Sequence, residues 1–90
     1  KAMDRLLEGQ VAIVTGGTAG IGKAIAQRLA LAGSAVVLFG THAQRGEAAA
    51  SEIGQSSGRS VHFVNVDVAQ TAAVENAIKG ILEAFGQVDI

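Results

Sequence analysis

The chain has 90 residues, a formal net charge of −1 at pH 7 and an apolar fraction of 49%. This length suits one small domain, and the mixed charges give no basic surface for nucleic acid. The absence of cysteine excludes disulfide bonds and a thiolate nucleophile, and no apolar run approaches the roughly 20 residues that span a bilayer. We therefore expect a domain without a metal, nucleic-acid or membrane partner, cytoplasmic because its first residues lack a signal peptide.

Two continuous apolar runs and one strongly β-prone segment predict three strands. They occupy residues 10–14, 35–39 and 61–65 or 61–66. Continuous runs such as the first two, without alternation, are typical of parallel strands that are covered on both faces, whereas the third segment is predicted from its β propensity. Residues 88–90 begin a fourth strand, so we expect residues 1–90 to be the first part of a longer single-domain protein.

Helices are predicted between the strands. The first begins at about Gly20 and is stopped by Gly33, the second spans residues 43–53 before a loop at 54–58, and the third spans 71–85. Lys23, Gln27 and Arg28 are expected to face solvent in the first helix. The residues expected to face the sheet are Ile21, Ile25 and Leu29 in the first helix and Val74, Ile78, Ile81, Leu82 and Phe85 in the third.

The order of elements is β-α-β-α-β-α with the start of a fourth strand. This alternation predicts an α/β fold with a doubly wound, Rossmann-like parallel sheet in the strand order 3-2-1-4. Ligands bind such sheets at the carboxyl ends of the strands. Functional residues are therefore expected immediately after each strand.

A glycine-rich turn follows the first strand, from Thr15 to Gly22. Its spacing is Gly16-x-x-x-Gly20-x-Gly22, which lets the backbone approach a phosphate at the start of a helix. The same stretch nearly matches a P-loop up to Lys23, but Ala24 stands where a Ser or Thr should bind Mg²⁺. A P-loop ATPase is therefore the weakest of the alternatives.

The motif Thr-Gly-x-x-x-Gly-Ile-Gly resembles that of the short-chain dehydrogenase/reductase family, and the likeness extends over all 90 residues, most closely to bacterial 3-oxoacyl-[acyl-carrier-protein] reductases. The resemblance implies NADP(H) as cofactor, an acyl carrier protein-linked substrate in fatty acid synthesis and a homotetramer. It also implies a catalytic Ser, Tyr, Lys and Asn beyond Ile90. The chain contains no tyrosine, so we assign no catalytic residue.

The predicted cofactor site combines the turn with the residues after the second and third strands. Thr41 and His42 are donors for a 2′-phosphate, with Arg45 nearby, and Gly40 stands where the family commonly has a carboxylate for NAD. The resemblance implies that Asp67 accepts from the adenine amino group and that Val68 lies against the ring. The turn contributes Gly16, Gly17, Thr18, Ala19 and the backbone N–H of Ile21.

Two further interpretations are consistent with the sequence. The chain could be a non-catalytic nucleotide-binding module, or part of another short-chain alcohol or carbonyl reductase. Ala19 replaces the Arg or Lys that many NADP-using relatives carry, so we expect only moderate discrimination between the cofactors.

Overall fold

The computed structural model of the protein describes residues 7–16 and 20–90, so the predictions for Gly17, Thr18 and Ala19 lie outside the described residues. Three parallel strands form one sheet in the order β1-β2-β3, with helices between them, which confirms the predicted doubly wound, Rossmann-like fold. The elements are β1 (Val11–Thr15), α1 (Gly20–Leu31), β2 (Ala35–Gly40), α2 (Ala43–Ser57), β3 (Val61–Asn65) and α3 (Thr71–Phe85).

The last residues of the chain lie beside β1. The backbone groups of even-numbered residues in β1 bond to β2, whereas those of Val11 and Ile13 point to the other edge of the strand. There the Asp89 N–H donates to the Val11 carbonyl at 2.8 Å, and the Ile13 N–H donates to the Ile90 carbonyl at 2.9 Å. The Asp89 carboxylate also accepts from the Val11 N–H at 2.9 Å. Residues 89 and 90 thus occupy the position that the order 3-2-1-4 gives to a fourth strand.

Apolar side chains cover both faces of the sheet. On one face α1 and α2 pack against β1 and β2, around the fully buried Leu38 and Ile53. On the other face α3 packs over Val37 and Phe39 through Ile81. No helix in the described ranges is long and apolar enough to cross a membrane.

The face of α1 that meets the sheet differs from the prediction. Ile21 is 80% exposed and Ile25 is 50% exposed, whereas Ala26 and Ala30 are fully buried. Leu29 is half-buried at the edge of the core. Small side chains let α1 approach the sheet closely, and this rotates the larger isoleucines outward.

Two polar residues of α1 that were expected to face solvent lie instead at its contact with α2. Lys23 Nζ is 2.8 Å from Glu52 Oε2, and Gln27 Nε2 is 3.4 Å from Ser56 Oγ. Both are half-buried, whereas Arg28 is exposed as predicted. The side of α1 that carries Lys23 and Gln27 therefore faces the neighbouring helix.

The predicted loop at 54–58 is wrong because α2 continues to Ser57. Gly58 ends the helix with a φ of 69°, and its N–H donates to the Gly54 carbonyl at 2.9 Å. A glycine inside a helix costs about 1 kcal/mol relative to alanine, which is why the sequence favoured an end at Gly54. Packing of the buried Ile53 against the sheet favours continuation instead.

The bounds of α3 agree with the prediction, and Gly86 ends the helix with a φ of 81°. One of its predicted contact residues is wrong, since Leu82 is 44% exposed. Ala73 and Ala77 join the core on this face instead. As in α1, alanines contact the sheet where the sequence predicted a larger apolar residue.

Candidate cofactor site at the carboxyl edge of the sheet

The three strands end at one edge of the sheet. Gly16 donates its N–H to the Phe39 carbonyl at 3.2 Å, and Val66 donates its N–H to the Gly40 carbonyl at 2.9 Å. These bonds hold the strand ends at the same level, so the residues that follow them are grouped together. The predicted site residues after β2 and β3 are all exposed there: Thr41, His42, Asp67 and Val68.

The described part of the glycine turn has an unusual backbone. Gly16 and Gly20 have φ angles of 68° and 59°, a left-handed conformation that other residues rarely adopt. A Cβ at either position would have no described atom within 4 Å beyond its chain neighbours. α1 begins at Gly20, so its first N–H groups, including that of Ile21, have no intrahelical partner, and its first turn contains no acidic residue. Bare backbone beside a helix N-terminus fits a pyrophosphate.

The N-terminus of α2 forms a second part of this edge. His42 is the N-cap and makes no side-chain cap hydrogen bond, and the first turn contains no acidic residue. Helical bonding begins with the Gly46 N–H, which donates to the His42 carbonyl at 2.8 Å, so earlier N–H groups are available to a ligand. An open cavity of about 320 Å³ adjoins this turn and is lined by His42, Gln44, Arg45 and Ala48.

The residues that line this cavity supply hydrogen-bond donors and positive charge. The Arg45 guanidinium makes no ion pair with any residue of 7–16 or 20–90, and no carboxylate lines the cavity. Gln44 was missed by sequence reasoning, although its place in the first turn of a helix after a strand is a signal that could have identified it. The site therefore suits an anion.

Asp67 lies between β3 and α3. Its Oδ1 accepts from the Ala69 N–H at 2.9 Å, which fixes the turn into α3. The N-cap of α3 is Gln70, so Asp67 is not the helix cap. Its other carboxylate oxygen accepts no hydrogen bond from a described residue and can receive a ligand donor. Val68, which is 54% exposed, is the neighbouring apolar surface.

The structure disfavours the P-loop interpretation. Lys23 would have to reach a phosphate, but it pairs with Glu52 of α2. Ala24 has no hydroxyl to bind Mg²⁺. What the structure places at this edge is a group of exposed backbone N–H groups and side-chain donors.

Comparison with known proteins agrees with this geometry. The chain is 39% identical over 88 residues to the 3-oxoacyl-[acyl-carrier-protein] reductase of Aquifex aeolicus, an alignment that covers 98% of this chain and 36% of that protein. L-sorbose reductase from Gluconobacter frateurii, solved in complex with NADPH and L-sorbose, superposes with a TM-score of 0.89 at 36% identity, over 97% of this chain and 33% of that one. NAD⁺-bound xylitol dehydrogenase superposes with a TM-score of 0.87 at 30% identity, over 92% and 32%.

The chain thus spans about a third of the length of these relatives. The family profile described as short chain dehydrogenase matches residues 10–90, which include every strand and helix of the sheet. The protein belongs to the short-chain dehydrogenase family of oxidoreductases.

Proposed function

We propose that this chain supplies the cofactor site of an NADPH-dependent reductase that acts on a 3-oxoacyl thioester of acyl carrier protein. The observation that carries the choice of cofactor is the donor-rich cavity at the start of α2, lined by His42, Gln44 and Arg45 without a carboxylate. A 2′-phosphate needs donors, whereas a bare ribose hydroxyl favours an acceptor. Gly40, at the position where that acceptor would stand, offers none.

Each part of the edge has a role in this proposal. Thr41 and His42 donate to the 2′-phosphate, Asp67 accepts from the adenine amino group and Val68 lies against the adenine ring. When bound, the reduced nicotinamide supplies a hydride for the substrate carbonyl carbon. The residues of this chain bind and orient the dinucleotide, and none is assigned to proton transfer. The pyrophosphate would lie along the turn formed by Gly16, Gly17, Thr18, Ala19 and Ile21.

The identity to the Aquifex aeolicus reductase supports the proposed acyl substrate. The names of the solved relatives, an L-sorbose reductase and a xylitol dehydrogenase, favour a second candidate of the same reaction class with a polyol or sugar substrate. We extend the proposal to a cytoplasmic homotetramer for the full-length protein, on family resemblance alone.

Cofactor titration and turnover of the full-length protein test the proposal. We expect NADPH to bind more tightly than NADH by about 1 to 3 kcal/mol, the contribution of one charge-assisted hydrogen bond. NADPH oxidation should be fastest with a 3-oxoacyl-acyl carrier protein, compared with L-sorbose and with the oxidised forms of polyols. Tighter binding of NADH would contradict the choice of cofactor. Binding without turnover of any carbonyl compound would instead support a non-catalytic nucleotide-binding module.

A further inference from the structure

Gly46 lies in the first turn of α2, directly against an aromatic ring. It is buried, and Phe63 of β3 packs on the same side of the sheet as α1 and α2. A Cβ at Gly46 would overlap three carbons of the Phe63 ring, Cδ1, Cε1 and Cζ. Only glycine therefore lets the start of α2 lie this close to β3.

This contact is linked to the donor groups of the cavity through the helix itself. The Gly46 N–H donates to the carbonyl of His42, and Arg45 is its immediate neighbour in the chain. Because these residues share one helical turn, the distance of Gly46 from the sheet determines where His42 and Arg45 lie. Phe63 does not line the cavity, so it can act on a bound phosphate only through the position of α2.

We propose that Gly46, through its contact with Phe63, is a positioning residue that sets the enzyme's preference for the 2′-phosphate of NADPH. The inference rests on the proposed function. A side chain at position 46 moves the first turn of α2 away from β3 and takes its donors with it. NADH has no phosphate at this place, so its binding depends less on that turn.

The ratio of NADH to NADPH dissociation constants in the full-length protein is the decisive measurement. Gly46→Ala should weaken NADPH binding about tenfold, as expected for a misplaced charge-assisted hydrogen bond, and NADH binding less than about twofold. A general loss of structure would weaken both cofactors alike. Gly54→Ala is the matched control, because it makes the same change in the same helix where the new Cβ meets no atom closer than 3.6 Å. It should leave the ratio unchanged.

Changing Phe63 tests the contact from the other side. Phe63→Val removes the ring atoms that set how closely α2 approaches β3, and it should lower the ratio about twofold, which is a third of the Gly46→Ala effect in free energy. In the double variant, which carries both Gly46→Ala and Phe63→Val, the alanine methyl occupies part of the space that the phenylalanine ring leaves. The double variant should therefore recover a ratio closer to that of the parent than Gly46→Ala alone.

The possible results separate this inference from the proposed function. A parent protein that binds NADH more tightly contradicts the proposed function. A parent that prefers NADPH, with an unchanged ratio in folded Gly46→Ala, overturns the role of Gly46 alone. Should Gly46→Ala fail to fold, Phe63→Val decides the question, and an unchanged ratio in that variant overturns the inference.

Discussion

Gly16 and Gly58 both have positive φ angles, 68° and 69°, and no described atom beyond the chain neighbours lies within 4 Å of a Cβ at either position. Gly16→Ala and Gly58→Ala should therefore destabilise the protein to the same extent, about 1 to 2 kcal/mol each. Only Gly16 lies where we place the pyrophosphate, so only Gly16→Ala should weaken cofactor binding. Urea unfolding and dinucleotide titration of both variants check this, and equal affinities would remove Gly16 from the site.

Gly40 lies at the end of β2, where a carboxylate would favour NADH. Gly40→Asp should repel the 2′-phosphate and accept from a ribose hydroxyl, shifting the preference toward NADH by about 1 to 3 kcal/mol. Gly40→Asn is the control, because it has the same size without the charge and should retain most of the NADPH affinity. Dissociation constants for both cofactors provide the measurement. An equal shift in the two variants would mean that size, not charge, is responsible.

At the scale of an element, α3 contains two glycines with opposite requirements. Gly80 is inside the helix and has open space at its Cβ position, whereas Gly86 ends the helix with a φ of 81° and donates its N–H to the Leu82 carbonyl at 2.8 Å. Gly80→Ala should raise the free energy of unfolding by about 0.5 to 1 kcal/mol. Gly86→Ala should lower it by about 1 to 2 kcal/mol. Denaturant unfolding of the two variants measures both changes in the free energy of unfolding. A destabilising Gly80→Ala would show that the space beside α3 is occupied.

At the scale of the whole molecule, Ile21 and Ile25 form an exposed apolar strip one turn apart on α1. Exposed apolar surface of this kind promotes association. The isolated 90-residue chain should self-associate as its concentration rises, and the double substitution Ile21→Gln with Ile25→Gln should reduce this. Leu82→Gln on α3 is the control, because Leu82 is a single residue with 44% exposure. Sedimentation velocity over a range of concentrations compares the self-association of the parent and the variants. A parent chain that stays monomeric at every concentration would contradict the prediction.

The alternation of strands and helices could be predicted from the sequence because each element has its own local signal. Apolar runs identified β1 and β2 to within one residue at their ends, and a four-residue apolar repeat followed by Gly86 gave α3 its observed bounds. The glycine turn indicated the position of the candidate site, since φ angles like that of Gly16 require glycine. Backbone conformation and periodicity are properties of short segments, so the sequence by itself determined them.

Only the tertiary structure decided how these elements meet. The rotation of α1 depends on how closely Ala26 and Ala30 let it approach the sheet, and the length of α2 depends on packing that offsets the cost of an internal glycine. The contact between Gly46 and Phe63 joins residues of different elements. So do the bonds from Asp89 to Val11, across 78 positions of the chain. Distances between elements follow from packing in three dimensions, and no pattern within one segment encodes them.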